Sequence, residues 1–320
     1  MKKATKVWLI IAGSLVLIGC IFFAIVMSVL KWDFTKLSTV KYETNIYEVS
    51  GEFSDISLIS DTSDIIFTSS DDGKCRVECY EEENAKHSVT IKDDVLVVKI
   101  NNQKSWYDYI GFSLDSPRVT VYLPKTEYNA LFIRESTGNI EIPKDYSFEN
   151  ADISSSTGHV DFYAFVSKLL KTKTSTGNIC VGNNSVGSLS LSVTTGKVTV
   201  SNVTCDGNIT VGVSTGNAYL TDVICESVTS SGSTGNITLS NVISTGKISI
   251  ERSTGDVKFD SSDAAEIFVK TDTGDVTGSL LTDKVFIIQT DTGNIDVPKT
   301  VTGGKCEINT DTGDIEIRIG

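Results

Sequence analysis

The chain has 320 residues, 40% of them hydrophobic, and a formal net charge of −13 at neutral pH. Residues 1–36 contain five lysines and one aspartate, a net +4, so the rest of the chain carries −17. So acidic a body argues against nucleic acid and anionic membrane surfaces as partners, because both are negatively charged. The seven cysteines lack Cys-x-x-Cys spacing and partner histidines in a zinc-binding pattern, which argues against a zinc site.

The chain begins with a candidate membrane anchor. Residues 7–30 contain no charged side chain, and 24 helical residues are long enough to cross a hydrocarbon core of roughly 30 Å. Trp8 and Trp32 lie at the two ends, where tryptophan favours the membrane interfaces. The pattern predicts a transmembrane helix that contacts the lipid bilayer through residues 7–30. Three lysines within the first six residues favour a cytoplasmic N-terminus.

A lipid anchor is the alternative to this span. Residues 17–20, Leu-Ile-Gly-Cys, resemble a bacterial lipobox, in which Cys20 would be cleaved and lipidated. Ten apolar residues follow Cys20, whereas a lipoprotein normally turns polar there. A cleaved signal peptide also usually has a shorter apolar core. The uncleaved helix is the favoured interpretation, with residues 1–36 forming the cytoplasmic tip and transmembrane segment.

Residues 37–128 are predicted to hold one degenerate repeat and a cap. Ile56, Leu58, Ile65 and Phe67 match the repeat described below, with Ser63 in place of its glycine. Four segments then read as strands of an antiparallel meander that covers the first edge of the repeats: 75–80, 88–91, 95–100 and 118–123. Residues 105–116 form an aromatic connection that either seals this cap or binds a ligand; its aromatic residues are Trp106, Tyr107, Tyr109 and Phe112.

A Thr-Gly pair recurs ten times through residues 129–320. The spacing is always 19 or 20 residues, which is typical of a solenoid. The glycines are Gly138, Gly158, Gly177, Gly196, Gly216, Gly235, Gly255, Gly274, Gly293 and Gly313. Cys205 and Cys225 fall one repeat apart, and we expect stacked buried thiols there in preference to a disulfide.

Apolar residues alternate with polar ones on both sides of each glycine. They lie seven and five residues before it and two and four after it, as at Leu131, Ile133, Ile140 and Ile142. This period of two predicts two short strands per repeat, joined at a Ser-Thr-Gly-Asn corner whose polar side chains bond turn amides or stack into ladders. A third apolar position recurs near Val203, Val223, Val242 and Leu281. The fold class is therefore all-β: a parallel β-helix of ten to eleven rungs with an N-terminal antiparallel cap.

These features together resemble one known family. The apolar N-terminal segment, Ser-Trp-Tyr-Asp-Tyr at 105–109, Val-Thr-Val-Tyr-Leu-Pro at 119–124 and the Ser-Thr-Gly-Asn-Ile repeats are similar to the bacterial putative-adhesin family, domain of unknown function 4097. The resemblance covers nearly all of residues 40–320. It implies a membrane-anchored extracytoplasmic β-helix, with no established catalytic residues. Some members are linked to cell-envelope stress systems.

The favoured function is structural, adhesive or binding, at the cell envelope. An unknown envelope protein or glycan is the expected partner, and no cofactor is expected. A sensor or accessory role in envelope-stress signalling is the alternative. A polysaccharide-cleaving enzyme is more remote, because rungs of 19 or 20 residues leave no room for the long loops that build such active sites. His87 and His159 are interpreted as surface residues.

The corner changes character in the last repeats. Two residues before the glycine, serine or threonine gives way to Asp272, Asp291 and Asp311. If the register holds, these carboxylates stack about 4.8 Å apart along one edge. The simpler interpretation is that their charge protects a last exposed edge at residues 315–319 from pairing with another chain. The alternative is a weak divalent-cation ladder, because a row of hard oxygen ligands suits calcium.

Overall fold

The computed structural model describes residues 3–37, 40–104 and 115–320, so the aromatic connection at 105–116 lies almost entirely outside the described residues. The helix α1 (Lys3–Val29) comes first, followed by one 3-10 turn (Phe34–Leu37). Within α1, Ala4–Val29 has a mean hydropathy of 2.9 and is exposed along its length except at Met27, which is buried. It is long and apolar enough to cross a bilayer, although a signal sequence would meet the same criteria.

All the strands that the structure describes after the helix belong to one continuous sheet. The first nine strands are β1 (Tyr42–Val49), β2 (Asp55–Ile59), β3 (Asp64–Ser69), β4 (Cys75–Glu82), β5 (Ala85–Lys92), β6 (Val95–Asn102), β7 (Arg118–Leu123), β8 (Glu127–Thr137) and β9 (Ile140–Ile142). The next eight are β10 (Ser147–Thr157), β11 (Val160–Phe162), β12 (Phe165–Thr176), β13 (Ile179–Thr195), β14 (Val198–Cys205), β15 (Asn208–Thr215), β16 (Ala218–Cys225) and β17 (Ser227–Thr234). The last seven are β18 (Ile237–Thr254), β19 (Val257–Thr273), β20 (Val276–Leu280), β21 (Lys284–Thr292), β22 (Ile295–Asp296), β23 (Gly304–Thr312) and β24 (Ile315–Ile319).

These strands coil into a parallel β-solenoid, as the repeat predicts. Successive rungs pair in register, so that Val198 lies between Ile179 and Ala218. The alternating apolar positions form columns inside the coil, and Ile237 and Leu239 are fully buried there. At the third apolar position of the rung that holds β20, Leu280 is buried and Leu281 is exposed, one residue from the predicted position. Cys205 and Cys225 are buried free thiols, as expected.

Glycine is required at each Thr-Gly corner for two reasons. Every corner glycine has a positive φ, for example 132° at Gly216, which side-chain-bearing residues rarely adopt. The rungs also approach too closely for a side chain, because a Cβ on Gly216 would lie 1.8 Å from the carbonyl oxygen of Gly196. The Thr-Gly repeat therefore marks where successive backbones touch.

The residue after most corner glycines satisfies the turn amide of the neighbouring rung. The amide of His159 donates to Asn139 Oδ1 at 3.0 Å, and the amide of Asn178 donates to His159 Nδ1 at 3.1 Å. The same bond recurs along most of the solenoid, with Asn178, Asn217, Asn236, Asp256, Asp275 and Asp314 as the acceptors. This confirms the structural interpretation of these corner side chains, and it places His159 on the surface as predicted.

A second corner, which the repeat analysis missed, lies six residues after the glycine. It holds Asn183, Asn202, Asp222, Asn241 and Ser261, all with φ between 49° and 54°. Asparagine and aspartate tolerate this left-handed conformation better than most residues. Adjacent members also bond to each other, with Asn202 Nδ2 donating to Asn183 Oδ1 at 3.0 Å. The second corner turns each rung towards its third apolar position.

The N-terminal cap is partly an extension of the solenoid. The rung made of β2 and β3 stacks in parallel on β8 and β9, which confirms the degenerate repeat around Ile65. On its other face β2 pairs in parallel with β6, and β3 pairs in parallel with β7. The antiparallel pairs are β1–β4, β4–β5, β4–β7 and β5–β6. Two of the four predicted meander strands, β6 and β7, thus also continue the coil, and antiparallel strands close its end.

The C-terminal rungs are not stacked in chain order. The last rung, β23–β24, lies between β19–β20 and β21–β22. The prediction that residues 315–319 form an exposed last edge is therefore wrong, since β24 pairs with β20 on one side and, at Ile315 and Glu316, with β22 on the other. The outermost rung is β21–β22, where Ile287 and Ile295 are about half exposed. The strand β22 is short and is followed by Pro298, so it pairs poorly with rungs on both sides. Placing its rung at the end of the stack therefore gives up the fewest strand hydrogen bonds.

A buried ion pair fastens this outer rung across the inserted one. Lys284 Nζ lies 2.5 Å from Asp263 Oδ1, and both residues are buried. Between them, in register with Lys284, lies Gly304, where a Cβ would meet the carbonyl oxygen of Ala265 at 1.9 Å. Because Gly304 has no side chain, the Lys284 side chain has room to pass it and reach Asp263.

The corner contact predicts a contrast between Gly216, which follows β15, and Gly212, which lies within it. Gly216→Ala should lower the free energy of unfolding by several kcal/mol, because it forces a backbone clash and a left-handed conformation. Gly212→Ala should be neutral or slightly stabilising, because its Cβ would meet its nearest neighbours at 3.9 Å. Urea unfolding of both variants measures the difference. Equal effects would contradict the role given to the corner.

The ion pair predicts a second contrast. Lys284→Met leaves the Asp263 carboxylate buried without a partner and should cost about 3–5 kcal/mol of unfolding free energy. The control is Lys305→Met on the adjacent β23, which breaks the exposed pair with Glu307 and should cost less than about 1 kcal/mol. Adding Asp263→Asn to Lys284→Met should recover part of the loss. Similar effects of the two lysine substitutions would show that the buried pair does not hold the outer rung.

Candidate functional site

The three aspartates predicted as a cation ladder share one column, but in a different order. Strand register places Asp311 between Asp272 and Asp291, because the last rung is inserted. All three side chains are exposed. Within the described ranges none of them has an ion pair or a hydrogen-bonding partner, unlike the neighbouring Asp275 and Asp314, which accept turn amides. The ladder stays a prediction, now for the order 272, 311, 291.

An open groove lies at the capped end of the solenoid. It has a volume of about 760 Å³ and is formed by three connections: β1 to β2, β3 to β4, and β7 to β8. Phe53 forms one wall and stacks on Tyr128, with ring centroids 6.0 Å apart and planes 17° apart. Tyr128 is buried and donates its hydroxyl to the Pro124 carbonyl oxygen at 3.0 Å. The groove therefore has a rigidly supported aromatic wall.

The groove is acidic and offers hydrogen-bond acceptors. Glu48, Glu52 and Asp72 line it against a single cation, Lys74, for a net charge of −2. Burial and the nearby Glu48 raise the pKa of the Cys75 thiol to about 12, so this lining cysteine stays protonated and unreactive at neutral pH. Sequence reasoning missed this groove, because its residues come from three connections that share no motif.

A buried polar network lies beneath the cap. His87 on β5 is buried, so the prediction that it is a surface residue is wrong. Its Nδ1 lies 2.7 Å from Glu81 Oε2, and its backbone amide donates to the same oxygen at 2.6 Å. Asn45 Nδ2 donates to Glu81 Oε1 at 2.8 Å. The strand β5 carries His87 inward because its register with β6 places every second side chain inside the cap.

The network continues from the cap into the first rung. The hydroxyl of Ser60 lies 3.0 Å from His87 Nε2 and 3.1 Å from Ser63 Oγ. Ser60 donates to the Ser63 hydroxyl, and the backbone amides of Ser63 and Thr137 donate to Glu135 Oε1 at 3.3 Å each. Burial raises the pKa of Glu135 to about 7. One hydrogen-bonded chain thus joins β4 and β5 to the solenoid.

The order Ser60, His87, Glu81 has the distances of a hydrolytic triad. A triad also needs a substrate beside its serine and free donors for an oxyanion. Ser60 is 6% exposed, and the adjoining cavity of about 20 Å³ has room for about one water molecule. The backbone amides of Ser63 and Thr137 already donate to Glu135. In the part of the chain that the structure describes, this arrangement is a structural link and does not support the enzyme alternative.

The raised pKa of Glu135 predicts a pH dependence of stability. Its ordinary value is 4.5, so between pH 4.5 and about 7 the native state binds more protons than the unfolded state. The unfolding free energy should fall across this window, by about 3 kcal/mol, and the loss should be complete above it. Glu135→Gln should remove most of this fall. Urea unfolding at pH 5 and pH 8 measures it, with the exposed Glu127→Gln on the same strand as the control; identical pH profiles for the two variants would contradict the assignment.

Several solved structures are similar to this chain. A putative adhesin from Parabacteroides distasonis ATCC 8503 has 13% identity and a TM-score of 0.53, covering 88% of this chain and 98% of that chain. Another, from Bacteroides fragilis NCTC 9343, has 15% identity and a TM-score of 0.44 over 87% and 97%. A further Parabacteroides distasonis protein, described as a putative lipid binding protein, has 14% identity and a TM-score of 0.47 over 88% and 98%.

At such identities a structural likeness shows the fold alone. No curated protein matches the chain. The family model is more specific, because the Toastrack domain of unknown function 4097 matches residues 53–214 and 204–320, most of the chain. The resemblance inferred from the Thr-Gly repeats is thereby confirmed, and the chain belongs to the Toastrack family.

Proposed function

We propose that the chain is a single-pass, membrane-anchored binding protein of the cell envelope, with its solenoid outside the cell. The apolar helix α1 supports the anchor, since its side chains other than Met27 are exposed and a bilayer would cover them. The lysines before the helix support a cytoplasmic N-terminus, and the acidic solenoid suits an exposed, soluble body. The fold shared with proteins described as adhesins supports the adhesive reading.

The observation that carries a binding role is the groove at the capped end. Ligand sites are concave, with an apolar or aromatic wall and a few polar groups that fix orientation. Phe53 supplies the wall, while Glu48, Glu52 and Asp72 supply acceptors for hydroxyl groups. A net charge of −2 disfavours anionic polysaccharides. The chemistry favours a neutral, hydroxyl-rich glycan whose ring faces stack on the aromatic wall.

Binding of purified full chain, in detergent, to a panel of neutral and acidic cell-wall and host glycans tests this proposal. Phe53→Ala should weaken binding of a neutral glycan at least tenfold, and Phe165→Ala, which removes a 42% exposed aromatic outside the groove, should not. Glu52→Gln should weaken it several-fold, with Glu251→Gln on the solenoid surface as the matched control.

A thermal melt of each variant separates lost binding from lost folding, because Phe53 also packs against the core. Equal binding by the Phe53→Ala and Phe165→Ala variants would overturn the groove assignment. Capture of a membrane histidine kinase, with no glycan bound, would favour the sensor role in envelope-stress signalling.

A further inference from the structure

Three different ligand types converge inside the cap. Cys79 and Glu81 are two residues apart on β4 and so point to the same side of the strand. His87 faces them from β5. One ligand atom from each, a sulfur, a carboxylate oxygen and an imidazole nitrogen, lies within 4.8 Å of the other two. All three residues are buried.

We propose that Cys79, Glu81 and His87 form a buried binding site for one divalent cation of the zinc class. Thiolate and imidazole select borderline and soft metals over calcium or magnesium, which prefer ligand sets made of oxygen alone. A thiolate and a carboxylate together neutralise the two charges of the cation, so the loaded site adds no net charge to the interior. This cation site is distinct from the aspartate column at the other end of the solenoid.

One pair of ligand atoms is close to the spacing that the metal requires, and the Cys79 sulfur lies within 4.8 Å of a ligand atom of each partner. Tetrahedral zinc holds sulfur at about 2.3 Å and nitrogen or oxygen at about 2.0–2.2 Å, so the ligand atoms around it lie roughly 3.3–3.6 Å apart. His87 Nδ1 and Glu81 Oε2 are 2.7 Å apart, which is hydrogen-bonding distance. Entry of the cation replaces the proton between them and separates the two atoms by about 0.6 Å, a small side-chain movement.

The surrounding contacts orient both ligands towards one point. Asn45 and Tyr47 donate to Glu81 Oε1 at 2.8 and 3.4 Å, so Oε2 is the oxygen directed at the histidine. Ser60 lies 3.0 Å from His87 Nε2, which can donate to the serine hydroxyl when Nδ1 binds the metal. Such hydrogen bonds to the far side of a ligand fix its tautomer and usually accompany metal sites.

A fourth coordination position is available beside the cluster. The cavity of about 20 Å³ is bordered by Glu81, His87 and Ser63, and it has room for one water molecule. Three protein ligands and one water complete a tetrahedral zinc shell. The cavity has room for about one water molecule, so the expected role of the metal is to hold β4 and β5 together.

Metal analysis of the full chain tests the proposal. Protein purified in detergent with a phosphine reductant, stripped with chelator and dialysed against micromolar zinc, should retain one zinc per chain. Loading with Co²⁺ should produce the near-ultraviolet thiolate-to-cobalt absorption band. Chelator should lower the thermal midpoint of the loaded protein, because the metal binds the folded state.

Cys79→Ser and His87→Gln should each weaken zinc binding at least tenfold and abolish the cobalt band. The matched control is Cys75→Ser, which removes another buried thiol from the same face of β4, outside the cluster. This variant should retain both zinc binding and the cobalt band. Absence of both stoichiometric zinc and the cobalt band in the unaltered protein would overturn the proposal without reference to any variant. If Cys75→Ser weakened zinc binding as much as Cys79→Ser does, the proposal would also be overturned, because the metal would then lie elsewhere.

Discussion

The contact between successive corner glycines is the constraint on which the rest of the structure depends. Each corner glycine lies so close to the carbonyl oxygen of the glycine one rung away that no Cβ fits between them. This contact fixes the register of the rungs. Register in turn decides which side chains enter the core, because a slip of one residue would turn the apolar face outwards. The amide ladder after the glycine depends on the same register, since each side chain must meet the amide of its neighbour.

Corner register does not decide the order of the rungs. The corners are so alike that they would allow either β21–β22 or the last rung, β23–β24, to stack on β19–β20. Particular side chains then determine the order. The second strand of the last rung, β24, pairs along its whole length with β20, whereas β22 has only two residues. Lys284 crosses Gly304 to reach Asp263, and Arg318 pairs with Asp296 at 2.8 Å across the new contact.

The features that could carry function lie where the chain departs from the repeat. The middle rungs are regular and present short polar corners, whereas the cap contains the aromatic groove and the buried network of Glu81, His87, Ser60 and Glu135. Buried polar groups cost free energy unless they are hydrogen-bonded. The cap therefore has less apolar packing than the rungs, and in its place a specific network of hydrogen bonds. Loops on a rigid scaffold are the usual places for binding sites. The solenoid is best understood as the support that holds this end in position.

The sequence by itself determined the class of fold, the apolar helix, the position of the Thr-Gly corners and the extra rung around Ile65. These follow from local rules: a period of two, a fixed spacing and glycine where backbones touch. Tertiary structure alone decided the insertion of the last rung, the burial of His87, the groove around Phe53 and the meeting of Cys79 with Glu81 and His87. Each of these depends on which distant strands become neighbours, and similar repeats leave that choice to a few side-chain contacts with no periodic signature.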